Sequence, residues 1–344
     1  MSQTNAFSVD SSQLDKIVAR LETNLRRNPS DKESITELIQ LLDYYLPSEQ
    51  GLGIYSDSQR LLSSQFRENT QLSDLLKPGE LAKHYKLWVA FLESNGIPIQ
   101  VAQTQMFMGQ LHSVNSQTTY CTKYMQLFNN ESVIPRICHD CYKVQILPLN
   151  LTTLFQVYLV LHGLELPRDN CRKCMVEARE EVPYPYKGYI SCQSEDEAKY
   201  CLETFERVLR SSGISNVICG ISHGCSEYGI RYPEWRYSND GSHRLFERPE
   251  SWDESESEFF AAIQHRPIPL LHYNKDGVTV CDIFVFNSWV NYAEIIGDDS
   301  WKTFHDSPAS DMPKHFATRV REQSQQRKVE LRELEDRYSA LAHQ

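Results

Sequence analysis

Apolar residues recur at helical spacing through the first third of the chain. Two clear stripes come first, and a third begins at Pro78 and stops at Asn95-Gly96. The first stripe consists of Leu14, Ile17, Val18, Leu21 and Leu25, and the second of Ile35, Leu38, Ile39, Leu42 and Tyr45. Such spacing places the apolar side chains on one face of an amphipathic helix. The pattern therefore predicts a helical region over residues 1–112.

Between residues 113 and 237 short apolar strands alternate with helices. Strands are predicted at residues 142–149, 189–192, 216–221 and 226–232, and helices at 152–162, 175–181 and 194–213. The last of these helices begins with Ser194-Glu195-Asp196-Glu197, which has the form of a capping box. This alternation predicts a compact α+β unit with a small mixed sheet, which can be drawn as half of a ferredoxin-like fold.

The last third of the chain is predicted to hold an acidic loop, a β-hairpin and a long helix. Two apolar runs, at residues 270–273 and 278–286, flank Asp276-Gly277, and Asp-Gly between such runs is a strong signal for a hairpin turn. The acidic loop and the hairpin occupy residues 238–312. Residues 313–344 then read as one amphipathic helix.

The terminal helix has two interpretations. Its apolar positions fall on heptad spacing, but Ser324 and Arg327 interrupt the stripe, and the repeat is too short for a coiled coil. The stripe consists of Val320, Leu331, Leu334, Tyr338 and Leu341. The helix lies on its own domain in one interpretation and forms a homodimer contact in the other.

Composition and charge narrow the class of protein. The 344 residues are 40% hydrophobic and 24% charged, which are values typical of a globular protein. The net charge of −11 disfavours non-specific binding of nucleic acid, which rewards clustered Lys and Arg. The first residues lack the basic and apolar regions of a secretory signal, and no apolar run is long enough to span a membrane. We therefore expect a cytoplasmic protein.

Two CxxC pairs are the strongest chemical motif. Cys138 and Cys141 form the first pair, and Cys171 and Cys174 form the second. Zinc in structural sites takes four ligands, with Zn–S distances of about 2.3 Å, and two such pairs supply four thiolates. Lys and Arg side chains near both pairs would offset the negative charge of a four-thiolate centre. The motif predicts a zinc-stabilised core. The same thiolates also bind iron, and a CxxC redox pair is the third alternative.

A second candidate site is the segment from His223 to Tyr228. It brings a histidine, a cysteine, a glutamate and a tyrosine within six residues. Cys225 could act as a nucleophile with His223 as its base. Alternatively His223, Cys225 and Glu227 could hold a second metal on one face of a strand, because side chains at i and i+2 point the same way. The plainer interpretation is a buried cysteine beside an incidental histidine.

Three functional hypotheses follow from these motifs. The first is an intracellular binding or accessory protein with structural zinc and a protein or small-molecule partner. The alternative is a metal- or thiol-dependent enzyme with its site around His223, Cys225 and Glu227, helped by Arg231 and Tyr228. The third is binding of single-stranded nucleic acid or sugar through residues 231–237, which interleave aromatic and basic side chains.

Overall fold

The computed structural model describes residues 11–43, 45–47, 50–69, 72–99, 108–111, 117–168, 170–235, 246–262, 277–306 and 314–342. The α-helices are α1 (Ser11–Arg27), α2 (Lys32–Leu42), α3 (Ile54–Asn69), α4 (Leu72–Leu75), α5 (Pro78–Ser94), α6 (Gln117–Glu131), α7 (Leu151–Gly163), α8 (Glu195–Ser211), α9 (Ser226–Arg231), α10 (Trp252–Ala262), α11 (Val280–Ile296) and α12 (Lys314–Ala342). The strands are β1 (Met108–Leu111), β2 (Tyr142–Pro148), β3 (Arg172–Val176), β4 (Tyr186–Cys192) and β5 (Val217–His223). Short 3-10 helices lie at Arg136–Asp140, Pro233–Trp235 and Asp299–Thr303. The predicted α+β class and the long C-terminal helix are confirmed.

The strands form one sheet in the order β1-β3-β4-β2-β5. Every pair of neighbouring strands described is antiparallel, so the predicted mixed sheet is wrong. Helix α7 connects β2 to β3, and α8 connects β4 to β5. The six elements from β2 to β5 therefore have the complete β-α-β-β-α-β order and strand arrangement of a ferredoxin-like fold.

The two faces of the sheet carry different helices. Alternate side chains such as Val144 and Ile190 pack with the apolar residues of α7 and α8. The intervening positions face the other way, where Leu147 and Ile218 pack against Leu334 of α12. Val320, Leu331 and Leu334 of the α12 stripe are thus buried within their own chain, as one of the two interpretations predicted, whereas Leu341 near the end of the helix is exposed. Whether the helix also forms a dimer stays a prediction.

Helix α11 is buried along almost its whole length. It packs against α2, α3, α5, α7 and α12, and these neighbours cover it on most sides. Phe286 on α11 lies 4.7 Å from Phe155 on α7, measured between ring centroids. A single core therefore joins the N-terminal helices, α7, α11 and the sheet. Among the described residues, no helix is both long and apolar enough to cross a bilayer.

The position of α11 corrects the predicted β-hairpin. Residues 278–286 were expected to form its second strand, but α11 begins at Val280. Thr279 caps this helix through a capping box with Asp282, and an apolar run with a capping box favours a helix over a strand. The first predicted strand, residues 270–273, lies outside the described residues.

Two further predictions were wrong near the cysteines. Residues 175–181 were expected to be helical, but Met175 and Val176 belong to β3, where they pair with β4. Residues 226–232 were expected to form a strand, but they form α9 and its end. The first segment is short, and its pairing with β4 outweighs local propensity. The second segment is helical and has Cys225 as its N-cap.

A carboxyl pair lies in the core at the start of α11. Asp43 accepts a hydrogen bond from the Thr279 hydroxyl at 2.7 Å, and Asp282 accepts one from the hydroxyl of Tyr158. Burial raises the pKa of Asp282 to about 6, and burial with the neighbouring Asp282 charge raises that of Asp43. Both shifts favour the neutral acid in the folded protein.

An arginine secures α12 to the segment between β3 and β4. Arg327 is fully buried, and its guanidinium donates to the carbonyl oxygens of Val182 at 3.0 Å and Arg179 at 2.7 Å. It also pairs with Glu330 at 2.7 Å. The residue that interrupts the apolar stripe therefore supplies a polar anchor for the helix.

Candidate functional site

The candidate site lies at the end of the sheet where β2 begins and β5 ends. The backbone N–H of Gly224 donates to the carbonyl oxygen of Cys141 at 2.8 Å. Gly224 has a φ of +64°, and a Cβ atom there would lie 2.4 Å from Nε1 of the buried Trp235. Glycine is the residue that fits this turn, because it has no Cβ and tolerates positive φ. The turn places Cys225 at the N-cap of α9, next to the first CxxC pair.

The first CxxC pair sits on and just after the 3-10 helix Arg136–Asp140. The N–H of Cys138 donates to the carbonyl of Pro135 at 2.9 Å, and the N–H of Cys141 donates to that of Cys138 at 3.3 Å. Cys138 is buried, and the hydroxyl of Tyr228 donates to its sulfur at 3.5 Å. The turn therefore links the backbones of the two cysteines directly.

The second CxxC pair is split by the sheet. Cys171 precedes β3, and its carbonyl accepts the N–H of Ser191 at 2.8 Å. Cys174 lies within β3, is 0% exposed, and packs into the main core. Burial alone raises the pKa of its thiol. Because side chains alternate along a strand, two residues three positions apart face opposite ways.

The predicted zinc ligands are therefore not gathered at one point. Within the part of the chain that the structure describes, no group of three or more His, Cys, Asp or Glu side chains is placed to hold a metal ion. Zinc bound by Cys138, Cys141, Cys171 and Cys174 stays a prediction. The burial of Cys174 in the main core is the strongest observation against Cys174 as a zinc ligand.

His223, Cys225 and Glu227 do not share a strand face as expected. His223 ends β5, Cys225 caps α9 and Glu227 lies inside α9. The ring nitrogens of His223 lie 2.9 Å from the carbonyl oxygen of Trp235 and 2.8 Å from that of His139. A neutral imidazole can donate to only one of two carbonyls, so satisfying both requires the imidazolium form.

This environment favours a structural role for His223 over that of a base for Cys225. The imidazole also stacks on the indole of Trp235, with ring centroids 4.1 Å apart. Both ring nitrogens of His223 lie within hydrogen-bond distance of backbone carbonyl oxygens, so the side chain links two backbone segments. Its catalytic role stays a prediction that these contacts do not favour.

Glu227 belongs to a network of charged side chains that links α9 to β4 and to the segment between β3 and β4. It pairs with Arg179, which also binds Glu177 at 2.8 Å, and Glu177 binds Lys187 at 3.2 Å. Burial disfavours the charged form of Glu227. However, backbone hydrogen bonding and the positive charges of Arg179 and Lys143 outweigh burial and lower its pKa. Glu227 is thus held as a carboxylate.

Two lysines lie beside the thiols. Lys143 on β2 and Lys173 on β3 place their ammonium nitrogens 5.7 and 5.4 Å from the centre of the Tyr189 ring on β4. The ammonium of Lys143 is 3.2 Å from the sulfur of Cys225. Burial opposes its charge, but attraction to Cys225 and Cys141 in their thiolate form outweighs burial and raises the pKa of Lys143. Burial and the charge of Lys143 lower the pKa of Lys173.

The thiols of this corner also act on one another. Burial raises the pKa of Cys138, and the nearby thiols of Cys225, Cys141 and Cys121 raise it further against the hydrogen bond from Tyr228. Burial likewise raises the pKa of Cys141 to about 12, with Lys143 opposing and the Cys225 and Cys121 thiols adding to the shift. Repulsion between nearby thiolates is the physical cause of these mutual shifts. Cys121, on α6, therefore belongs to the same corner.

Sequence reasoning missed Cys121 and underused the two lysines. Cys121 lies in a helix and has no partner at a motif spacing. Lys143 and Lys173 did carry a signal, because each interrupts a strand at a position whose neighbours are buried. Both lysines were interpreted only as side chains that offset the negative charge of a four-thiolate centre, and not as part of the site itself.

The aromatic stretch at residues 231–237 is partly used inside the protein. Trp235 is 0% exposed and belongs to a second apolar cluster, and Tyr232 donates to the carbonyl of Ser132 at 2.6 Å. Residues 236 and 237 lie outside the described residues. A ring that is fully buried cannot stack on a base or a sugar, so Trp235 does not support the third hypothesis.

Comparisons with known proteins assign neither a family nor a function to this chain. No family model, curated protein or solved structure matches the chain. The candidate function therefore rests on the residues of this corner.

Proposed function

We propose that this chain is an intracellular binding or accessory protein in which a zinc ion, held by four thiolates, stabilises the corner formed by α6, α9 and the sheet. One observation carries the proposal. Lys143 and Lys173 lie partly buried beside several thiols, and in the described part of the chain neither forms a salt bridge with a carboxylate. Four thiolates on Zn²⁺ have a net charge of −2, which two ammonium groups would balance.

The proposal assigns zinc a structural role. A closed set of four thiolates leaves no open position for substrate, which is typical of structural zinc and not of catalytic zinc. Thiols that must stay reduced to bind metal also favour the cytoplasm. The function of the chain would then lie in binding a protein or small-molecule partner.

Elemental analysis tests this proposal. The untagged chain, purified in reducing buffer without chelator, should contain one zinc per molecule and little iron. A chelator should remove the zinc and lower the melting temperature, because binding free energy of the ion contributes to folding. Protein with less than a tenth of an equivalent of any thiophilic metal, both as purified and after incubation with Zn²⁺, would refute the proposal.

A thiol-dependent enzyme remains the second candidate, because Lys143 lies 3.2 Å from Cys225. A nearby cation stabilises the thiolate, which is the reactive form of cysteine. In this case iodoacetamide should alkylate Cys225 faster in the wild type than in Lys143→Met, as measured by mass spectrometry of the peptide. Equal rates in the two proteins would count against activation by Lys143.

A further inference from the structure

Strand β5 forms one edge of the sheet, and within the described chain it pairs with β2 alone. The opposite edge strand, β1, has only four residues and packs beside α11. Short length, charged side chains, proline and bulges are common ways to keep an edge strand from pairing with another chain. Strand β5 has seven residues and contains no proline, lysine, arginine, aspartate or glutamate. Its edge is therefore suited to pairing.

The backbone register shows which groups of β5 point away from β2. The N–H of Leu149 donates to the carbonyl oxygen of Asn216 at 3.0 Å, and that of Gly224 donates to the carbonyl oxygen of Cys141 at 2.8 Å. Between these two bonds the pairing runs without a bulge. Hydrogen-bonded positions alternate along an antiparallel pair, so the even-numbered residues of β5 bond to β2 and the odd-numbered ones point outward. The outward residues ahead of the terminal histidine are Val217, Cys219 and Ile221.

The side chains of the same three residues leave apolar surface at the edge. Val217, Cys219 and Ile221 are half-buried and pack against the main core on the side of the sheet that α8 covers. Leu202 and Val208 of α8 are also half-buried on this core. A second sheet edge placed alongside would bury these side chains further, and burial of apolar surface is the dominant favourable term in most protein association.

The charges of α8 favour a second copy of this chain as the partner. Burial and then the charge of Glu206 raise the pKa of Cys219, which places the middle of α8 beside the middle of β5. Glu203 and Arg210 are exposed on either side of Glu206. A two-fold axis next to β5 reverses α8 in the second copy, so Glu203 of each copy approaches Arg210 of the other. Such complementarity favours the correct partner and fixes the register.

Two-fold pairing also fits the sequence of the strand. With the axis at Gly220, Cys219 of one copy lies opposite Ile221 of the second copy, and each such pair exchanges two hydrogen bonds. The axis then passes between two glycines at a position without hydrogen bonds, where opposed side chains come closest. Glycine has no side chain to clash there.

We propose that β5 is the interface of a homodimer, in which residues 217–222 of two copies pair antiparallel about a two-fold axis at Gly220 and join the two sheets into one. The contact differs from a dimer through α12. The inference goes beyond the proposed function and does not depend on zinc.

Sedimentation of the full chain from micromolar to submillimolar concentration tests the dimer. The wild type should reach twice the mass of one chain. Ile221→Pro should weaken self-association by at least about 30-fold, because two-fold symmetry removes an outward N–H from both copies and leaves its acceptor unpaired. The N–H of residue 221 points away from β2, so proline there removes no hydrogen bond within the sheet. Circular dichroism shows whether the variant has folded.

Two controls separate this contact from others. Ile221→Val keeps the N–H group, and Leu341→Glu places a charge on the exposed end of α12. Both should remain dimeric. A wild type that stays monomeric throughout, or a dimer that Leu341→Glu dissociates and Ile221→Pro does not, would overturn the proposal.

Hydrogen exchange of the wild type tests the same contact without a variant. The amides of Cys219 and Ile221 should exchange slowly in the dimer and at least about 10-fold faster after dilution to the monomer, because only the second copy accepts their hydrogen bonds. The amides of Ile218 and Gly220 bond to β2 and should stay slow in both states. If dilution leaves the exchange of Cys219 and Ile221 unchanged, β5 is not the interface.

Discussion

Replacing Arg327 with Met should destabilise the protein by about 3–5 kcal/mol, the range for breaking a buried ion pair. The guanidinium is 0% exposed and donates to the carbonyl oxygens of Val182 and Arg179. Each buried acceptor left without its donor costs about 1–3 kcal/mol. Glu330 would lose its cation while remaining buried. Methionine regains apolar contact, which is why the lower half of the range is the better expectation.

Urea unfolding followed by circular dichroism measures this change. The control is Arg332→Met, which removes an exposed arginine from the same helix and should change the free energy of unfolding by less than about 0.5 kcal/mol. If Arg327→Met lies within about 1 kcal/mol of the wild type, the contacts of Arg327 do not anchor α12, and the reasoning fails.

Three further predictions concern the pH dependence, the turn and a helix cap. Because burial raises the pKa of Asp282 to about 6, the folded state binds more protons than the unfolded state between about pH 4 and pH 6. Its contribution to stability should therefore fall by up to about 3 kcal/mol as the pH rises through this range. Asp282→Asn should remove that part of the slope in urea titrations, and an unchanged slope would contradict the assignment. Gly224→Ala should cost about 1–3 kcal/mol more than Gly213→Ala, because both have positive φ but only Gly224 would bring a Cβ against Trp235. Equal losses in thermal melts would show that the indole moves aside. Ser194→Ala should cost about 1 kcal/mol, since its hydroxyl caps α8, and no loss would mean that water replaces the cap.

Local sequence signals were sufficient to predict those elements that carry a capping motif or a clear apolar run. Helix α8 was predictable from the box at Ser194, and β2 from its apolar run. The run at residues 278–286 misled because Asp276-Gly277 suggested a turn, while the capping pair of Thr279 and Asp282 was overlooked. A segment that is apolar on every side has no period to separate strand from helix. Its identity depends on the helices that surround it.

The candidate site was only partly predictable for a related reason. The spacing of Cys171 and Cys174 is the same as that of Cys138 and Cys141. However, Cys171 and Cys174 lie at the start of strand β3, whereas Cys138 and Cys141 lie in and at the end of a 3-10 helix. Which way each sulfur points is decided by secondary structure and not by spacing. Cys121 joins the site through the packing of α6, which no local motif encodes.

The burial of α7 under α11 has a consequence for synthesis of the chain. Helix α7 is apolar on nearly all sides and ends at Gly163, whereas the helix that covers it ends at Ile296. At about 5–20 residues per second, the ribosome needs on the order of ten seconds to make the chain between these two points. During that time the strongly apolar helix α7 is not yet packed against α11. We expect the nascent chain to depend on chaperones that bind exposed apolar segments, and to aggregate when synthesis stops before α11.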